Sequence, residues 1–200
     1  MILKKKFLKI IFIFFLSISF IEKSFSIEPN VFVQSTVNRA SKVLSGNFTK
    51  QEKMEELKNI AKETVDINGI GSYTLGKHRK NLTIEQKKIY RNLFEKYFLK
   101  TFTSRLAEYT NPEVRVELSD KLNKNYTMVH SVLVATEQRS EIKIDWRIYT
   151  KDPENLLIRD LIIEGLSLAR TQKEEFNSII LSNNGNVDYL FVSMNEFINK

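Results

Sequence analysis

One stretch has the look of nucleophilic chemistry. Gly165-Leu166-Ser167-Leu168-Ala169 approximates the G-x-S-x-G elbow of serine hydrolases, with Ala in place of the last Gly. It lies between a strand-like run and a helical pattern, the context an elbow needs. A serine hydroxyl also needs a base. The only two histidines, His78 and His130, both precede Ser167. The α/β-hydrolase order is nucleophile, acid, histidine, so that family is excluded, and a convergent triad would need one of these imidazoles beside Ser167. The competing reading is structural: Ser167 opens a helical pattern, and its hydroxyl can cap the first turn.

Other chemistries find less support. The chain has no Cys, which rules out thiol chemistry, disulfides and Cys-based metal sites. His78, placed in a loop after Gly76, and His130, within a strand, lie in no ligand-spaced cluster. No glycine-rich phosphate loop is present, so the chain does not itself hydrolyse ATP. Arg159 and Asp160 interrupt the apolar run Leu156 to Ile163. Neighbours on a strand point to opposite faces, so one of the two faces inward. An inward Asp160 needs a partner, and Arg170 and Lys173 on the following helix are the candidates.

The elements around these residues follow from hydrophobic period and punctuation. Pro29 to Ser45 reads as a helix with Val33, Val37, Ala40 and Leu44 on one face and Gly46 as its stop. Thr49-Lys50-Gln51-Glu52 is a capping box opening a second helix, with Met54, Leu57, Ala61 and Val65 inward. Asp66 can cap a short third helix that Gly76 ends, and Gly69 and Gly71 weaken it. Those glycines serve either close packing or the opening of a pocket. A second capping box, Thr83 to Gln86, opens the longest helical pattern, reaching about Tyr109. Tyr90, Phe94, Tyr97, Phe98, Thr101, Phe102, Leu106 and Tyr109 share a broad face on it. Such a stripe either fills a core or walls an apolar cavity.

After Pro112 the period becomes two. Val114, Val116 and Leu118 alternate with charged residues, Tyr126 to Thr136 forms a second strand, and Ile142, Ile144, Trp146 and Ile148 mark one face of a third. Asp152 to Asn155 is a turn leading to the strand Leu156 to Ile163, and Glu164-Gly165 breaks it. A helix from Ser167 to about Asn183 carries Ala169, Lys173, Phe176 and Ile180 at helical spacing. Asn184-Gly185 separates it from a last helix with Val187, Leu190, Phe191, Met194 and Phe197. Short connections between the strands predict an antiparallel meander. The fold class is α+β, with helices packed on one side of a twisted antiparallel sheet.

The N-terminus reads as a secretory leader. Lys4, Lys5, Lys6 and Lys9 precede the apolar run Ile10 to Phe20, and Ser24-Phe25-Ser26 is a small-x-small cleavage site. That run is shorter than the roughly 20 apolar residues a membrane span needs. The expectation is a signal peptide over residues 1–26 and a single domain over 27–200, exported to the periplasm. The whole chain has 31 basic and 24 acidic residues; without the leader's five Lys and one Glu, 26 and 23 remain, a net charge of only +3. The basic balance is thus largely the leader's and gives no case for nucleic acid.

The stretch from Asp160 to Phe176 resembles the MlaC family of periplasmic phospholipid-binding proteins, also known as toluene-tolerance or ABC-transporter auxiliary proteins. Family members read "D-v-x-I-E-G-v-S-l-v-x-x-y-R-x-x-F", matched here by Asp160, Ile163, Glu164, Gly165, Ser167 and Phe176. Lys173 stands in place of the Arg, keeping the charge without the bidentate fork. Ile70 to Arg79 resembles a second segment, "i-a-x-x-v-L-G-x-y-W", through Leu75 and Gly76, with His78 and Arg79 replacing its aromatic pair. The resemblance runs from about Pro29 to the C-terminus.

It implies a non-enzymatic carrier with no cofactor beyond a bound phospholipid. The implied partners are an outer-membrane lipoprotein complex and an inner-membrane ABC transporter complex with an MCE-type subunit, in the upkeep of outer-membrane lipid asymmetry. It also implies a cavity between helices and sheet. The candidate walls are Tyr90, Phe94, Tyr97, Phe98, Phe102 and Leu106 on the long helix, with Trp146, Ile148 and Leu161 on the sheet. The alternative from another class is an adaptor module without a cavity, whose apolar faces fill one another.

Overall fold

The structure, a computed structural model, describes residues 27–200. The expected leader lies outside the described residues. Helix α1 (Pro29–Ser45) starts on a proline, whose missing N–H is no loss in a first turn, and stops at Gly46. Helix α2 (Lys50–Thr64) opens on the expected capping box: Glu52 N–H donates to Thr49 Oγ1 at 3.2 Å, and Thr49 N–H donates back to the Glu52 carboxylate at 2.8 Å. Asp66 caps α3 (Ile67–Thr74), accepting from the Gly69 N–H at 2.7 Å. Gly76 ends it at φ +53°, where a side chain would be strained.

Two expectations are corrected here. The segment around His78 is not a loop but a 3₁₀ helix, Gly76–Lys80, held by short-range bonds from the His78 N–H to Leu75 O and the Asn81 N–H to His78 O. Helix α4 (Ile84–Leu106) begins at the predicted Thr83–Gln86 box but stops before Tyr109. The Tyr109 N–H reaches back only to Leu106 O, a tightened last turn, and Asn111 at φ +48° leads into Pro112.

The strands form a meander in the order β1-β2-β3-β4-β5, every pair antiparallel. They are β1 (Val114–Asn123), β2 (Tyr126–Leu133), β3 (Ile142–Tyr149), β4 (Leu157–Ile163) and β5 (Leu166–Ser167). Leu118 does not join Val114 and Val116 on the inner face. A register shift between Val116 and Ser119 breaks the alternation and leaves Leu118 55% exposed. Strand β2 stops at Leu133, short of the expected Thr136, which instead pairs with Arg139 across a tight turn. Glu164-Gly165 is more than a break: both residues have positive φ, as a two-residue type I′ hairpin requires, and they fold β5 back onto β4.

The chain closes with α5 (Leu168–Ser182) and α6 (Asp188–Asn199). Residues directly opposite in a ladder share a face, so Trp146 lies on one face with its partners Val129 and Leu161, and with Ile148 two residues on. The helices cover that face. Helix α1 lies on β1 and β2, α3 and α5 lie on β4, and α4 packs on α2, α3 and α6. A single buried cluster joins sheet and helices through Val129, Ile148, Phe94, Phe176 and Leu190. Among the described residues no helix is long and apolar enough to cross a membrane.

Candidate functional site

The aromatic stripe of α4 repeats every four residues, so its rings contact in series along one face. Ring centroids lie 5.7 Å apart for Tyr90 and Phe94, 6.1 Å for Phe94 and Phe98, and 5.7 Å for Phe98 and Phe102. Burial divides the stripe. Tyr90 and Phe94 are 2% and 3% exposed, whereas Phe98, Phe102 and Leu106 are only partly buried.

The inner half is close-packed core. The Tyr90 hydroxyl donates to Gly71 O at 3.1 Å and shares a 2.8 Å hydrogen bond with Thr74 Oγ1. Burial pushes this phenol well above its ordinary range, although the Thr74 bond works the other way. Phe94 meets Phe176 edge-on at 6.3 Å. Its other side lies so close to α3 that a Cβ on Gly71 would sit 2.7 Å from Phe94 Cδ1. The structure therefore assigns Gly71 to close packing. Tyr97 is half-buried between Phe176 and Phe197, its hydroxyl donating to Gln172 Oε1 at 3.3 Å.

On the sheet, Ile148 is fully buried, while Trp146 and Leu161 are partly buried against the same core. The Trp146 indole N–H donates to Ser131 Oγ at 2.8 Å, which fixes the ring against β2. The nine wall candidates thus separate by burial. Tyr90, Phe94 and Ile148 lie inside the core. Tyr97, Phe98, Phe102, Trp146 and Leu161 border it with apolar surface still uncovered, and Leu106 lies half-buried at the end of α4.

The joint after β4 takes a different form from the one expected. Asp160 is 3% exposed although the register sets it with Arg147 on the face opposite Trp146 and Leu161, and neither Arg170 nor Lys173 is its partner. Its charge is met by Arg147, its Cα partner on β3, at 3.4 Å. Its oxygens also accept from Ser167 Oγ at 2.6 Å and the Ala169 N–H at 3.0 Å. Arg170 is exposed; its backbone N–H, not its guanidinium, enters the joint by donating to Ser167 Oγ. Lys173 instead holds its ammonium 5.0 Å over the Tyr73 ring. Glu164 and Gly165 form the hairpin turn, and Phe176 fills the core beneath α5.

Arg159, the neighbour of Asp160, is the extra residue at the β3/β4 register shift. It donates to Asp66 at 2.7 Å and Tyr126 at 2.9 Å while lying 4.1 Å over the Tyr149 ring. This clamp ties the cap of α3 to the sheet, and sequence spacing carried no signal of it.

This arrangement leaves Ser167 without a base. Its hydroxyl is committed to Asp160 and to the helix cap. His78 Nε2 donates to Asn177 Oδ1 at 2.9 Å, and His130 bonds Asp145 at 2.7 Å and Asp120 at 3.2 Å. Burial pulls the His130 pKa down, but those two carboxylates outweigh it and raise the pKa above its ordinary value.

A family model described as MlaC protein matches residues 34–196 of the chain. Among solved structures, the chain is similar to the phospholipid-binding protein from Ralstonia solanacearum, determined in complex with a phospholipid. Identity is 20% and the TM-score 0.74, over 86% of this chain and 98% of that one. At that identity the likeness is one of fold. No curated protein matches the chain.

Proposed function

This chain belongs to the MlaC protein family, and on that premise we propose that it is a non-enzymatic phospholipid carrier that holds its cargo by the acyl tails. The observation that carries this reading is the apolar surface that Phe98, Phe102, Trp146 and Leu161 leave uncovered at the border of the core. Tails laid over these side chains would remove apolar surface of both tail and protein from water. Each methylene so removed is worth about 0.8 kcal/mol, and a dozen give on the order of 10 kcal/mol. Binding of that strength needs no reactive group, in keeping with the engagement of Ser167, His78 and His130 in structural bonds. The phospholipid in the similar Ralstonia structure supports the choice of ligand.

In the fuller reading, the leader over residues 1–26 directs the chain to the periplasm. There the carrier passes phospholipid between an outer-membrane lipoprotein complex and an inner-membrane ABC transporter with an MCE-type subunit, maintaining outer-membrane asymmetry. The test is organic extraction of the purified protein, with native mass spectrometry of the intact complex. About one phospholipid per chain is the expected result. Protein that is lipid-free after purification, and stays so after incubation with phospholipid vesicles, would favour an adaptor module and overturn the carrier reading.

A further inference from the structure

A recess of about 300 Å³ is lined by Leu75, Gly76, Lys77, His78, Lys173, Glu174 and Asn177. None of the wall residues named above lines it. We propose that it is an anion site for a phosphate ester of headgroup size.

Three features build it. The positive φ of Gly76 turns the chain into the 3₁₀ helix, which brings Lys77 and His78 against α5. The same glycine makes room for Lys173: a Cβ at position 76 would sit 2.9 Å from Lys173 Cε. The stem of Lys173 therefore crosses the bare glycine, and its ammonium comes to rest over Tyr73. Third, the hydrogen bond to Asn177 fixes the His78 ring. An amide oxygen only accepts, so Nε2 of His78 carries the proton.

Apart from the Tyr73 ring under Lys173, the lysine charges have no counterpart among the described residues. Among the described residues, no carboxylate lies within ion-pair distance of Lys77 or Lys173. Glu174 also lines the recess, leaving it one net positive charge with His78 neutral and two with His78 protonated. Charge-assisted hydrogen bonds from ammonium groups to phosphate oxygens are among the stronger ones. The buried Leu75 gives the recess an apolar floor continuous with the core, which suits an ester carrying a short carbon chain over a bare inorganic ion. Such an ester reaches this site either as the headgroup of a carried lipid or as a free soluble molecule.

The probe is glycerol 3-phosphate, titrated into delipidated protein while the His78 imidazole signals are followed by NMR, with His130 as the internal reference. The expected result is a saturable shift confined to His78. Lys77→Gln and Lys173→Met should each weaken binding at least tenfold, while Lys88→Gln, at an exposed position on α4, leaves it unchanged. Lys173→Met keeps the stem over Gly76; if it unfolds the protein, Lys77→Gln decides alone. No His78 shift at millimolar ester, or equal affinity in all variants, overturns the proposal.

Repeating the titration on phospholipid-loaded protein separates the sources. A His78 already shifted and unresponsive means a headgroup fills the site; an unchanged titration means a soluble ester does. Lipid content measured on the same samples keeps this test apart from the carrier reading. Lipid-free protein whose His78 responds would sink only the carrier, and lipid-bearing protein whose delipidated form does not respond would sink only the anion site.

Discussion

Asp160 Oδ2 accepts a hydrogen bond from Ser167 Oγ at 2.6 Å, and the same Oγ accepts from the Arg170 N–H at 3.1 Å. The cap of α5 is thus anchored to β4 through a carboxylate that also neutralises Arg147 on β3. One side chain fixes where the helix leaves the sheet, and with it the position of Phe176 beneath Phe94 and Tyr97.

Removing that carboxylate should be costly. In Asp160→Ala the Ser167 hydroxyl, the Ala169 N–H and the Arg147 guanidinium all lose a partner; with the Arg147 side chain 36% exposed, the loss should sit at or below about 3 kcal/mol, the low end of the cost of breaking a buried pair. Ser167→Ala removes the cap, at about 1 kcal/mol, plus its bond to Asp160. Urea denaturation of the two single variants and the double variant measures the coupling. Strict additivity would show that the two residues do not act as one joint. Ester hydrolysis that Ser167→Ala abolished would instead overturn the structural role of the hydroxyl.

Gly71→Ala tests the closeness of α3 and α4. In an open helix Ala is better than Gly by about 1 kcal/mol, so a stabilising result would mean that nothing presses on this position. With Phe94 Cδ1 2.7 Å from the new methyl, overpacking of typically 1–3 kcal/mol should win. The expected outcome is a lower urea midpoint, recovered in part in a Phe94→Leu background.

The parts of the fold that were legible are those set by local chemistry. The pairs Thr49 with Glu52, Thr83 with Gln86, Asp66 with Gly69 and Ser167 with Arg170 are all three residues apart, and each forms the cap its spacing suggests. The partner of Asp160 was not legible, because the ladder register that brings Arg147 opposite it includes a shift at Arg159 that no periodicity announces. The site was half legible for a similar reason. Phe94 and Phe98 are the same residue type on the same helical face. Only the approach of Gly71 and Phe176, both distant in sequence, makes one of them core and leaves the other uncovered.

His130 should make stability depend on pH. Its folded pKa is raised above 6.5: burial lowers it, and the hydrogen bonds and charges of Asp145 and Asp120 outweigh that. A group whose pKa rises on folding stabilises the protein fully below its unfolded pKa of about 6.5, and that contribution is lost as pH climbs through the folded value. The stability difference between wild type and His130→Asn should therefore be largest near pH 5 and shrink toward pH 9. Urea midpoints of both proteins across that window check the sign. A difference that grew with pH would mean the carboxylates do not hold the imidazolium.

Phe98→Trp distinguishes a cavity wall from a filled core. Phe98 stacks between Phe94 and Phe102 on the half-buried part of the stripe. If its free side borders space for a lipid tail, the larger ring occupies that space in delipidated protein at little cost and then excludes part of the tail. If other side chains already fill that side, overpacking strain of typically 1–3 kcal/mol appears whether or not lipid is present. Two measurements on one sample separate the cases: the melting temperature of delipidated protein, and phospholipid co-purifying per chain. The expected outcome is a nearly unchanged melting temperature with lipid content reduced at least severalfold. Phe94→Ala supplies the contrast, because its ring is closed in by Gly71 and Phe176. It should cost about 3–5 kcal/mol through the hole it leaves, with or without lipid. A large loss of apo stability in Phe98→Trp with lipid content intact would place Phe98 in ordinary core and move the tail site away from the outer half of α4.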